Sequence, residues 1–421
     1  MIKKIYQKDI ITYLSFVFIS FPILLISGPF LSDLLVVFFS IFFLIRYRYF
    51  QFSSKCRIFL FLLSIFYILI NISSILSDNI FLSLKSTLPY FRFIFFAFVI
   101  SLLIGQIEKN DVIKNYFNII FQFIFIFLFI DSFYQFFNLE NLFGFRISEQ
   151  MSDERVSSLF GEELILGSYI SKIMFLYLGF LHGKQNNPKN FLNIDLKILF
   201  ILLITLSTIF ISGDRAAFVL AVAGTFMYLL INLNFKATGI IVGFMVIIFF
   251  ILQSNPSYKS RYDVLFQTIF IDRVIGQSTH HQHFKTAYKM FDERKLFGHG
   301  VKSFRNKCNL KKFNSGPKSC STHPHNYYLQ LLSATGIFTF IILTIFFIFI
   351  LKELIENFIF KIKKNKINNK KICYLISLFI AIFPFATTGS FFNNWISFTI
   401  FLSLGFLLSE YKIFSYSMKK K

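Results

Sequence analysis

Six of the seven histidines fall between residues 254 and 325: His280, His281, His283, His299, His323 and His325, with His182 apart. Histidine titrates nearest neutral pH and is the usual proton carrier in catalysis. The densest run is Ser321-Thr322-His323-Pro324-His325-Asn326-Tyr327-Tyr328-Leu329-Gln330, which leads into an apolar segment. Pro324 suits the start of a helix. His325 is therefore expected at a helix mouth, where the first-turn N–H groups and the dipole favour anions and disfavour an imidazolium. A neutral His325 is a candidate proton acceptor, with His323 and Asn326 in support. A second constellation is Ser212-Gly213-Asp214-Arg215-Ala216-Ala217. The planar guanidinium of Arg215 suits a phosphate; the plainer roles are snorkelling to lipid headgroups or pairing with Asp214. Further cations are Arg155, Lys172, Arg261 and Arg273. A surface salt bridge would equally explain Arg155. No carboxylate at ligand spacing accompanies His280, His281 and His283, and the chain has no Cys-x-x-Cys, P-loop or Gly-x-Gly-x-x-Gly. Neither a metal nor another cofactor is expected.

The elements that must position these residues are helices in a bilayer. Of 421 residues 55% are hydrophobic, 65 are Phe, and only 15% are charged. That excludes a soluble globular enzyme and a disordered chain. Apolar windows of spanning length fall at about 10–27, 29–45, 57–76, 86–105, 113–136, 164–181, 195–212, 215–233, 237–253, 326–351, 372–388 and 393–410. The fold expected is an all-α membrane protein of about twelve spans. The first span is expected to be a retained helix. Alternate short loops are rich in Lys and Arg, among them Arg46, Arg48, Lys184, Lys189, Lys363, Lys364 and Lys366. By the positive-inside rule these loops and both termini are cytoplasmic. That side holds 24 basic and 7 acidic residues, so most of the formal net charge of +22 is a topology signal and nucleic acid is not needed to explain it. The long segment 254–325 falls on the outer side with 13 basic and 4 acidic residues. A basic outer surface suits an anionic substrate, against plain solvation of a long loop. Cys308 and Cys320 lie in it, where a disulfide can form and would contribute about 3 kcal/mol in the chain-entropy view.

His325-Asn326, nine residues, then Gly336-Ile337-Phe338-Thr339 resembles the hallmark of the O-antigen ligases, which belong to a larger group with the O-antigen polymerases. The segment around Arg215 resembles the family element whose Arg holds the pyrophosphate of a lipid-linked donor. Residues Ala287–Gly300 are similar to the family's amphipathic loop helix and the turn after it, with Lys295 where Pro is usual. The resemblance implies a second essential Arg in this loop; by distance from His325, Arg273 fits best and Arg261 second. Residues Arg155–Glu163 resemble the stretch before the sixth span.

The resemblance implies a metal-independent glycosyltransferase of the bacterial inner membrane, working at its periplasmic face. Glycan would pass from a polyprenyl pyrophosphate to the lipid A core, with His325 as base and Arg215, Arg273, Arg261 and Arg155 near the pyrophosphate. Asn326, His323, Asp214 and Lys172 would support them. An O-antigen polymerase or a protein O-oligosaccharyltransferase would use the same donor. A transporter of lipid-linked sugars would instead place ionisable residues at the bilayer midplane. The organisation expected is spans one to nine in residues 1–253 with an outer loop at 137–163, a large periplasmic loop at 254–325, and the last three spans with a cytoplasmic tail in 326–421.

Overall fold

The computed structural model describes residues 2–46, 50–147, 155–182, 195–232, 234–253, 279–411 and 414–416. Eleven helices lead to the long loop: α1 (Ile2–Phe18), α2 (Phe21–Ile26), α3 (Pro29–Arg46), α4 (Ser54–Ile75), α5 (Ile80–Thr87), α6 (Phe91–Lys109), α7 (Asp111–Asn138), α8 (Leu166–Leu181), α9 (Leu196–Ile211), α10 (Arg215–Ile231) and α11 (Phe235–Gln253). The described part of the loop holds α12 (Thr279–Glu293) and α13 (Phe304–Lys307). It is followed by α14 (Tyr327–Thr335), α15 (Ile337–Ile362), α16 (Asn369–Ala381) and α17 (Asn394–Glu410). A short antiparallel ribbon pairs Phe50–Phe52 with Phe414–Tyr416.

Every apolar window of the sequence contains a helix. Among the described residues five stretches are long and apolar enough to cross a bilayer: Pro29–Arg46, Arg57–Ile75, Ile80–Lys109, Asp111–Asn138 and Ile337–Ile362. Six others, such as Leu166–Leu181 and Asn394–Glu410, are apolar but shorter. Phe30, Phe61, Phe81, Phe123 and Phe250 point outward, each more than half exposed. In water such a surface would aggregate; hydrocarbon covers it without penalty. The protein is a multi-pass membrane protein.

Packing between helices relies on close approach. A Cβ on Gly405 of α17 would lie 2.7 Å from Ile100 on α6, and one on Gly179 of α8 would lie 2.5 Å from Tyr374 on α16. Small residues at such crossings are how helices associate where lipid removes the hydrophobic drive. Lys370 at the start of α16 pairs with Glu108 and Glu410, which ties the ends of α6 and α17 together. Polar caps set many starts: Asn110, Asp195, Asp214, Asn326, Asn368 and Asn393 each accept from a first-turn N–H.

The window at 326–351 is a correction to the sequence reading. It is not one helix. Gly336 takes φ 80° and ends the nine-residue α14, and the spanning helix α15 starts at Ile337. The break is enforced by contact, because a Cβ on Gly336 would overlap the carbonyl of Leu296. Around it Ile337 N–H donates to Lys295 O (2.9 Å), Gly300 N–H to Ala334 O (2.8 Å) and the Ser73 hydroxyl to Ala334 O (2.7 Å). The turn at Gly298–Gly300 thus docks onto the bend. Asp78, after α4, pairs with Arg294 (3.0 Å) and Lys307 and fastens the loop to the bundle. Cys308 and Cys320 are joined by a disulfide. With Ala287, Met290, Phe304 and Phe313 they form a small core under α12.

Candidate functional site

A cavity of about 870 Å³ opens where several helix ends gather. Its wall draws on the end of α2, the first turns of α8, the start of α10, the end of α16, the linker before α17, and the segment preceding α14. Leu25, Leu164, Ile165, Leu220, Ile380 and Ile396 give it an apolar side. Its charged and titratable groups are His280, Arg305, His323, His325, Lys172, Asp214 and Glu163.

The spacing of the His325 motif now has a physical meaning. Asn326 is the N-cap of α14, its side-chain oxygen accepting from Leu329 N–H at 3.1 Å. The nine residues Tyr327–Thr335 are the helix, and Gly336 is its C-cap. Thr339 closes the bend, its hydroxyl 2.6 Å from that of Thr335 and donating to Gly336 O at 3.1 Å. Gly336 and Thr339 therefore build the corner that sets the angle of α14, and His325 sits at the far end. His325 precedes the cap rather than occupying the first turn, so the expected place at the mouth of a spanning helix is corrected: it stands one residue ahead of a short, separate helix.

His325 has φ 56°, in the left-handed region that non-glycine residues rarely occupy. The linker after α16 holds it there. Thr388 N–H donates to His325 O at 2.9 Å. Asn326 Nδ2 donates to Pro384 O at 2.6 Å and Ala386 O at 3.2 Å. Gln330 clamps the same linker through Ser390 Oγ (2.8 Å) and Phe391 N–H (2.8 Å).

Four imidazoles form one array. The ring of His325 lies 4.2 Å from His323, 5.2 Å from His283 and 5.5 Å from His280, centre to centre. Its Nε2 is 3.0 Å from Ser321 Oγ. Burial, followed by the neighbouring His323, His280 and His283, pushes the His325 pKa down to about 3. Burial likewise lowers His323 and His283. For His325 the charged form is disfavoured by desolvation first and by the neighbouring imidazoles second. Among the described residues no three of His, Cys, Asp or Glu converge as ligands for a metal ion.

The other expected residues divide. Lys172 on α8 is buried and lies on the cavity wall, its ammonium 5.1 Å from the centre of the Trp395 ring. Asp214 caps α10 by accepting from Ala217 N–H at 3.1 Å and pairs with Arg155 at 3.9 Å. Arg155 also donates to Ser212 O at 3.5 Å. Arg215 is the first residue of α10, half-buried, and is not part of the cavity lining. Arg261 and Arg273 lie outside the described residues.

The structure adds residues that the sequence reading passed over. Arg305 lines the cavity from α13, and Trp395 and Thr388 line it from the last linker and the start of α17. Two signals were available. Trp395 is the only tryptophan in a chain of 65 phenylalanines, and Arg305 stands three residues before Cys308, a disulfide candidate with Cys320.

Comparison with known proteins bears on the same residues. No curated protein matches the chain. The family model described as O-Antigen ligase matches residues 200–344, a segment that holds Arg215, the loop, His325 and the Gly336–Thr339 bend. Lys172 and the linker that braces His325 fall outside the matched segment. Residues 200–344 thus carry an O-antigen ligase domain, and through it the chain is similar to the ligase- and polymerase-like glycosyltransferases.

Proposed function

We propose that the protein is an O-antigen ligase-type glycosyltransferase that moves a glycan from a polyprenyl pyrophosphate onto the lipid A core at the periplasmic face of the inner membrane. The observation that carries this reading is the place of His325: the motif histidine stands on the wall of a large cavity whose lining joins apolar side chains to the cations Lys172 and Arg305 and the carboxylates Glu163 and Asp214. An amphiphile with an anionic middle matches such a lining. The chain segments that form it are also those that the charge-derived topology assigns to one outer face. Acceptors other than the lipid A core, a second lipid-linked repeat unit or a protein hydroxyl, are outcomes that the assay distinguishes.

In the reaction the acceptor hydroxyl oxygen bonds to the anomeric carbon as the bond from that carbon to the pyrophosphate breaks. The hydroxyl proton passes to the unprotonated ring nitrogen of His325, and the bonding pair leaves on the polyprenyl pyrophosphate. Arg215, with Arg155 and the loop arginines Arg273 and Arg261, supplies positive charge near that leaving group. Asn326 and His323 hold the histidine in place, and Asp214 positions Arg155. Free His325 is a weak base at about 3. A pyrophosphate beside it offsets the surrounding positive potential and raises its proton affinity, so the donor itself readies the base. No metal or cofactor has a role in this scheme.

The test is His325→Ala in a strain lacking its own ligase. Loss of long-chain lipopolysaccharide is expected, and its persistence overturns the role of His325. Purified protein supplied with lipid-linked glycan and lipid A core, a second repeat unit or a peptide identifies the acceptor.

A further inference from the structure

We infer that Lys172 and Arg305 are further fixed cations, beside Arg215, Arg155, Arg273 and Arg261, that grip the anionic group of the donor, one deep in the cavity and one at its rim. The inference rests on the reading of a pyrophosphate-linked donor. Among the described residues these are the lysine and the arginine on the wall that also bears His325.

Lys172 lies six residues into α8, about 9 Å along the axis from Leu166 at the rise of an α-helix. It is only 7% exposed and has no carboxylate within ion-pair distance among the described residues. Asp214, on the same wall, is already engaged by Ala217 N–H and Arg155. A buried ammonium packed on an aromatic face, with Asp214 near it but shared with Arg155, is costly unless a ligand charge completes the site. Gly167, a turn earlier, leaves room for this arrangement: a Cβ there would lie 2.5 Å from Ser212 Oγ and 2.7 Å from Asp214 Cβ.

Arg305 is exposed, in α13. Its helix is held against the His325 segment, since Cys308 is bonded to Cys320, five residues before His325. The helix that bears Arg305 and the segment that bears His325 are therefore tied together, while Lys172 meets the charge from below. A compact ammonium at depth and a planar fork at the rim divide the leaving group's charge between them.

Trp395 lines the cavity and is the chain's single tryptophan, so its fluorescence reports occupancy directly. Detergent-solubilised protein would be titrated with geranylgeranyl pyrophosphate, with neutral geranylgeraniol and with inorganic pyrophosphate. Tighter binding of the pyrophosphate lipid than of the alcohol is expected, with inorganic pyrophosphate competing. Lys172→Met and Arg305→Gln should each weaken the pyrophosphate lipid about tenfold, the worth of one charge-assisted contact, and leave the alcohol unchanged. An equal loss for both lipids assigns the residue a structural role and overturns the inference, as does no loss at all. Pyrophosphate-specific binding without glycan transfer to any acceptor would sink the transferase reading and leave this assignment standing.

Discussion

The backbone N–H of Thr388 donates to the carbonyl of His325 across 2.9 Å, and the carbonyl of Thr388 faces His323 Nε2 at 3.3 Å. One residue between α16 and α17 thus braces both histidines of the motif, from 65 positions beyond His323. The left-handed backbone of His325 persists because this linker holds it.

His325→Gly should separate stability from activity. Glycine accepts φ 56° without strain, so thermal unfolding should occur at an unchanged or higher temperature. Transfer should be lost with the imidazole. A clear fall in unfolding temperature would mean that the ring's contacts, not the backbone, dominate this position.

Asn326→Ala removes the N-cap of α14 and both bonds to Pro384 and Ala386. A cap alone is worth about 1 kcal/mol, up to about 2. Stability should fall by at least that, and transfer should drop more steeply because His325 loses its brace. Thermal scans beside the transfer assay check the ratio.

Glycine substitutions should diverge. Gly336→Ala places a Cβ against the Leu296 carbonyl at φ 80°, so little folded protein is expected in the membrane fraction. Gly105→Ala, in α6 with open space around it, should be neutral or stabilising by about 0.5–1 kcal/mol. Equal yields of the two variants would contradict the packing described for the bend.

Acid should weaken the outer loop. His283, His299, His323 and His325 all have folded-state values below that of a free imidazole, with His299 near 4 and His325 near 3. Above about pH 6.5 they are neutral in both folded and unfolded chains. As pH falls from there toward 4 the unfolded chain takes up protons first, so stability declines. Unfolding temperatures measured between pH 8 and pH 5 should fall toward acid, and His299→Gln should flatten the slope. A rise toward acid would reverse the assignment.

Arg215→Lys keeps the charge and discards the fork. If Arg215 holds phosphate oxygens, transfer should fall heavily. Near wild-type transfer would assign Arg215 to the lipid headgroups and shift the weight to Lys172 and Arg305.

The sequence by itself determined the class of molecule, the approximate place of most apolar helices and the His325 motif, because apolar windows and residue spacing are local along the chain. The array around His325 and the charges facing it were decided only by tertiary structure. Gly336 is legible in the sequence as a motif residue but not as a break in the long apolar window around it; the Leu296 carbonyl packed against it splits that window in two. Arg305, Trp395 and Thr388 carry no shared spacing with His325 and meet it only because the disulfide, the bend and the last linker fold back onto one cavity. Lys172 was visible as a charge in a membrane helix, but that its ammonium faces Trp395 rather than a carboxylate followed from the packing of α8 against α17.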